Sequence, residues 1–266
     1  MKILLIPDGH VNADQDLSRF DALGNLILDR KPDVIVQLGD FLSLSSLSHW
    51  DMSKRLKMEG RRYRADIEAG QEALTKIFKP TLDYQRKWTG YWKLGSSKMY
   101  RPDVKWLLGN HEQWLTNYVM QNPELEGHMD VVADLRVAEL LPECTLQVVK
   151  YKEYVEVSDI MFTHAPIAGN GQAVSGKYAL ARASDLTSKS IVFGHCHRWE
   201  ALNIHRHGSG QLIQLLTAGC FFDAPDEYAD GCTQNYWKGV TMLDVWGTGR
   251  FDTEQISLER MYRSYL

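Results

Sequence analysis

The feature that most constrains this chain is a repeated pairing in which a short apolar run stops at a polar, chemically capable residue. Apolar runs lie at 3–6, 34–38, 104–108, 160–163, 190–193, 212–217 and 240–245, each of buried-strand length, with segments long enough for helices between them. Strands alternating with helices predict a layered α/β domain. Five runs lead into Asp8-Gly9-His10, Gly39-Asp40, Gly109-Asn110-His111-Glu112, His164 and Gly194-His195-Cys196-His197. Side chains at the carboxyl ends of neighbouring strands converge on one crevice, where open α/β sheets bind ligands.

The chain has 266 residues, 44% hydrophobic and 24% charged. This composition excludes a disordered, collagen-like or disulfide-stapled protein. A chain of this size buries enough surface to fold without a structural metal, so a metal site in it points to function. The net charge of -4 argues against a whole-protein grip on nucleic acid. Cys144, Cys196, Cys220 and Cys232 form no C-x-x-C pair, which fits a reducing cytoplasm. The apolar start at 3–6 is cut off by Pro7 and Asp8, too short for a signal core or membrane span, so it is expected to be the first buried strand and no membrane partner is expected.

Residues 51–105 carry 14 basic against 7 acidic side chains, which leaves the remainder of the chain at -11. Helices are expected near 61–78 and 82–92, standing over the crevice as a cap within a single domain of 1–266. Trp50, Phe78, Tyr84, Trp88, Tyr91 and Trp92 anchor this insertion, form a subunit interface, or stack on bases. Arg61, Arg62, Arg64 and Arg86 are solvated, or one of them reaches the non-reacting part of a phosphate substrate.

Asp8 and His10 are two residues apart, as are His195 and His197; in extended backbone each pair points to one side and can grip one ion. Carboxylate, imidazole and Asn oxygen suit Zn, Mn, Fe, Co or Ni. Asp40 is the best candidate to bridge two ions. Glu112 supports the site or starts the next helix. Cys196 is expected to be a small buried hydrophobe, and 169–171 a turn. His49, His128, His205 and His207 are expected on the surface, with Asp223, Asp226, Glu227 and Asp230 in a solvated loop.

The ordered set D-x-H, G-D, G-N-H-E, H and G-H-x-H across residues 8–197 resembles the calcineurin-like metallophosphoesterase superfamily. Residues 235–240, Asn-Tyr-Trp-Lys-Gly-Val, also look like a late strand of its bacterial and phage members. Cys196 stands where Thr is usual, and the 70 residues from Asp40 to Asn110 are a long gap for the family. The resemblance implies a four-layer sandwich of two mixed β-sheets flanked by helices. It implies that Asp8, His10, Asp40 and His197 hold one metal, and that Asp40, Asn110, His164 and His195 hold a second. His111 is implied to be unligated, contacting the phosphoryl oxygen or protonating the leaving group.

The resemblance implies two divalent cations, Mn, Fe, Zn, Ni or Co with Mn favoured, which would activate water for in-line attack and stabilise the attacking and leaving oxygens. The expected substrate is a nucleotide-like or nucleic-acid phosphodiester, the latter through the 51–105 insertion. A broad phosphomonoesterase and a non-catalytic scaffold of the same fold are the alternatives.

Overall fold

The structure is a computed structural model that describes residues 1–48, 50–89, 99–140, 144–223 and 236–266. One sheet contains β1 (Lys2–Ile6), β2 (Val34–Gln37), β3 (Asp103–Leu107), β4 (Thr145–Val149), β10 (Gly239–Trp246) and β11 (Arg250–Ser257). Their order is β11-β10-β1-β2-β3-β4. Strands β1 to β4 are parallel, and β10 and β11 extend the sheet antiparallel. The second sheet contains β5 (Val155–Val157), β6 (Ile160–Thr163), β7 (Ser190–Phe193), β8 (Trp199–His205) and β9 (Leu212–Ala218), in the order β5-β6-β7-β9-β8. Here β6, β7 and β9 are parallel.

The two-residue alternation of strand side chains divides the apolar residues between layers. Ile3 and Leu5 of β1 and Val34 and Val36 of β2 point inward, against Phe162, Val192 and Leu216 of the other sheet. Leu4, Ile6 and Ile35 point outward, onto the helices α1 (Ser18–Arg30) and α3 (Tyr63–Thr89). On the far side, Ile191, Phe193, Ile213 and Leu215 pack against Ala179, Leu180 and Ala183 of α5 (Ala179–Ser184). The result is helix, sheet, sheet, helix, the architecture the family resemblance implies.

All seven apolar runs became strands, and together they are the interior strands of the two sheets. The four strands without such a run, β4, β5, β8 and β11, are the four sheet edges. An edge strand is partly open to water and so lacks a continuous apolar signal. In β4 only Val149 is fully buried.

The helices expected at 61–78 and 82–92 are one helix, α3, which runs through Pro80; residues 90–92 lie outside the described residues. An interior proline costs about 3 kcal/mol. Burial of Ile67, Leu74, Ile77 and Phe78 in the outer core, at roughly 1.5–3 kcal/mol each, outweighs that cost. Pro80 has no N–H for the Lys76 carbonyl, and that carbonyl lies against Gly24 of α1, where a Cβ would come within 2.5 Å of it. Glycine at this position therefore permits the close approach of the two helices.

The insertion also divides in two. Most of α3 joins the outer helical layer beside α1, while residues 51–66, including the short α2 (Arg55–Met58), border the crevice. Phe78 is buried, Tyr84 is half-buried with the Lys31 ammonium over its ring, and Trp50 is exposed. The Trp88 side chain, Tyr91 and Trp92 lie outside the described residues. Among the described residues, no helix is long and apolar enough to cross a membrane.

Candidate metal centre

The polar residues that end the interior strands meet at one place. Asp8 and His10 follow β1, Asp40 follows β2, and Asn110 and His111 open α4 (Asn110–Gln121) directly after β3. His164 follows β6 in the second sheet, and His195 and His197 follow β7. Since β1 to β3 are parallel neighbours, as are β6 and β7, all these side chains emerge at carboxyl edges.

The two-residue pairs do not converge through extended backbone as expected. The backbone is left-handed at His10 (φ 44°), Asp40 (φ 49°), His195 (φ 64°) and His197 (φ 55°). For a side chain with a Cβ this conformation costs roughly 1–2 kcal/mol, so the surrounding contacts must enforce it. Around Asp40 those contacts come from Glu112, whose carboxylate accepts the backbone N–H groups of Asp40, Leu42 and Gly109. Glu112 therefore both supports the site and opens α4. Burial and the neighbouring Asp40 charge raise its pKa to about 7.

Space is reserved here by two glycines. A Cβ at Gly109 would sit 2.1 Å from Asp40 Oδ1, and one at Gly194 would sit 2.4 Å from Asp8 Oδ1. The G-N-H-E and G-H-x-H glycines thus let the carboxylates occupy the floor of the site.

Three overlapping groups of ligand atoms result, each lying within 4.8 Å of one another and able to hold a metal ion. They are Asp8, His10 and His197; Asp40, His164 and His195; and His10, Asp40 and His111. Asp8 Oδ2 is 3.0 Å from His197 Nε2, which in turn approaches His10 Nε2 to 3.3 Å. Asp40 Oδ2 is 3.3 Å from His164 Nε2, 3.9 Å from His10 Nε2 and 4.0 Å from His111 Nε2. One oxygen of Asp40 thus faces both halves of the cluster, while its Oδ1 accepts the His111 backbone N–H.

His164 tests whether these residues fit a cation. Its Nδ1 is 2.8 Å from the Leu38 carbonyl, which can only accept, so Nδ1 carries the proton and Nε2 presents its lone pair. That lone pair faces Asn110 Oδ1 at 3.0 Å and Asp40 Oδ2. Three electron-pair donors meeting in a buried place call for positive charge between them. Burial opposes a charge on His164, yet the Asp40 and Asp8 carboxylates raise its pKa to about 9, the direction expected where the surroundings favour positive charge. Burial and the adjacent His164 push His195 down to about 4, leaving it neutral and able to donate to a metal. Burial opposes ionisation of Asp40, but the surrounding histidines, His164 foremost, hold its carboxyl well below the usual range. The donor set is nitrogen and oxygen. Burial pushes the Cys196 thiol up to about 12, so it offers no thiolate.

His111 is fixed separately. Its Nδ1 donates to the Ser43 carbonyl at 2.7 Å, and its ring stacks on Trp114 with centroids 4.0 Å apart. Its Nε2 is thereby turned toward the cluster.

Sequence reading missed the aromatic wall. Phe222 packs edge-on against both His10 and His197, and Tyr236 against His197. Tyr236 lies in the tail segment already singled out, whereas Phe222 carries no local signal. Arg19 was also unmarked: this buried guanidinium donates to the carbonyls of Gly9 and Phe221, tying the Asp8–His10 loop to the Phe222 loop.

His128, His205 and His207 are exposed as expected, and His49 lies outside the described residues. Cys196 is half-buried, and 169–171 form a turn closed by Gly171 N–H to the Ala168 carbonyl. In the acidic loop, Asp223 is exposed and accepts from Tyr262; Asp226, Glu227 and Asp230 lie outside the described residues.

A largely buried cluster of carboxylates and imidazoles able to hold metal ions, at the carboxyl edges of two facing sheets, marks a metal-dependent phosphoesterase when taken with the family to which the sequence belongs. The sequence model of the calcineurin-like phosphoesterase family matches residues 1–202, and the chain belongs to that family. No curated protein matches it.

Proposed function

We propose that this protein is a two-metal phosphodiesterase acting on nucleotide-like diesters. The observation that carries the reading is the pair of buried donor groups joined through Asp40 Oδ2. In it, Asp8, His10, Asp40 and His197 hold one ion, and Asp40, Asn110, His164 and His195 hold the other. Two divalent ions there, Mn foremost and Fe, Zn, Ni or Co otherwise, supply Lewis acidity to the phosphoryl oxygens and an activated water.

The chain's own residues orient and protonate. Asp40 sets the spacing of the two halves, held by the Glu112 carboxylate behind it. His111, with Nδ1–H committed to Ser43, presents Nε2 to the reacting phosphate; when protonated, that atom gives its proton to the departing alkoxide oxygen. Phe222 and Tyr236 shield the His10 and His197 side from water.

The preference for a diester is supported by the cleft that adjoins His111, about 890 Å³ in volume and of ligand size. It offers room for a second esterified group beside the reacting phosphate. The test compares bis(p-nitrophenyl) phosphate with p-nitrophenyl phosphate on Mn-loaded protein. The diester should be favoured at least tenfold in kcat/KM. A reversed ratio assigns a monoesterase, and no turnover of either ester with any of the five metals assigns a scaffold.

A further inference from the structure

The cleft beside His111 is walled on its other side by residues 51–66. Four arginines from this part of the sequence were candidates to reach a substrate, and the structure separates them. Arg61 lies on the wall, but its guanidinium is already engaged with the Asp51 carboxylate at 3.3 Å and the Ser45 carbonyl at 3.2 Å. Arg64 does not line the cleft and pairs with Glu68 at 2.7 Å. Arg86 pairs with Asp83, near the far end of α3. Arg62 lines the cleft, and its guanidinium donates only to the neighbouring Arg61 carbonyl; no carboxylate among the described residues pairs with it.

A guanidinium left with unused donors in a cleft that also contains His111 is chemically matched to a phosphate, whose oxygens accept from its fork of N–H groups. Asp14 and Glu59 lie on the same walls, and their carboxylates accept from hydroxyl or amino groups. A ligand that satisfies both is an alcohol of nucleoside size bearing its own phosphate. The departing group belongs in this cleft because His111, which protonates it under the function proposed above, forms part of the lining.

We propose that Arg62 determines substrate choice by binding a second phosphate carried on the leaving group of the scissile diester. The inference rests on the diesterase reading for the direction in which the substrate lies, but the anion site itself can be measured without turnover.

The experiment is calorimetric titration of the Mn-loaded protein with deoxyadenosine 5′-monophosphate and with deoxyadenosine 3′,5′-bisphosphate. The bisphosphate should bind about tenfold more tightly, the scale of one charge-assisted contact at an exposed site. Arg62→Ala should abolish that gain and Arg62→Lys should retain part of it. Arg64→Ala, outside the cleft, should leave it intact.

An unaltered thermal midpoint in each variant excludes misfolding as the cause. A ten-nucleotide single strand that binds no tighter than the bisphosphate assigns the subsite to a nucleotide. Tighter, Arg62-dependent binding assigns it to a continuing strand. Equal affinities of the two nucleotides for the unsubstituted protein, or a gain that survives Arg62→Ala, overturns the proposal. If the gain depends on Arg62 while no diester is hydrolysed, the diesterase reading fails and the anion site stands. If diesters turn over without any gain, the reverse holds.

Discussion

The Glu112 carboxylate accepts the backbone N–H of Asp40 at 3.0 Å, so a residue in the first turn of α4 holds the central carboxylate of the cluster in its left-handed conformation. The same carboxylate takes the N–H groups of Leu42 at 3.0 Å and Gly109 at 2.8 Å. Glu112→Ala leaves three buried donors without an acceptor. Each costs roughly 1–3 kcal/mol, so a loss of several kcal/mol is expected, with a falling thermal midpoint and reduced metal content. Glu112→Gln, which keeps one acceptor oxygen, should lie between the two. A midpoint unchanged in Glu112→Ala refutes the role.

Asp40 faces both halves of the cluster, whereas His197 faces one. Asp40→Asn should therefore deplete both metal positions and reduce turnover more than His197→Ala, which should weaken mainly the Asp8 side. Metal-to-protein ratios from elemental analysis decide this. A chelator should abolish activity, and added Mn should restore it. Two full equivalents of metal with normal turnover in Asp40→Asn would sink the bridging assignment.

His111 has Nδ1 committed to the Ser43 carbonyl and Nε2 turned toward the cluster, 4.0 Å from Asp40 Oδ2. His111→Ala should keep its metals yet lose turnover by about 100- to 10,000-fold. The loss should grow as the leaving group becomes more basic, from nitrophenyl to alkyl esters. An equal loss across that series points to electrostatic stabilisation of the transition state.

Gly109 leaves no room for a side chain, with Asp40 Oδ1 only 2.1 Å from where a Cβ would lie. Gly109→Ala should displace that carboxylate and lower metal affinity by about 10- to 100-fold, the usual scale for disturbing groups that orient ligands. Metal titration followed calorimetrically checks it. An affinity within twofold of the unsubstituted protein contradicts the spatial argument.

What could be read from the residues in order was what local chemistry encodes. The seven interior strands announced themselves because strands covered on both faces are predominantly apolar, and the reactive residues stood at the ends of five of them. The four edge strands did not, since their exposed positions carry no continuous apolar run. The ordered motifs likewise named the residues that gather at the crevice, yet the geometry that gathers them was illegible. Extended alternation was the local expectation for His195 and His197, and left-handed turns are what the folded chain imposes.

The helices expected at 61–78 and 82–92 are one helix that accommodates Pro80. Its tolerance depends on Gly24 and on apolar burial contributed by residues distant in sequence. The same distinction separates the arginines. Arg61, Arg62, Arg64 and Arg86 carry equal charge in the sequence, and only the positions of Asp51, Glu68 and Asp83 decide which guanidinium is left to meet a substrate. Patterns of burial and reactive residue type are written along the chain. Pairing, backbone handedness and free space arise only when segments far apart in sequence come within a few ångströms of one another.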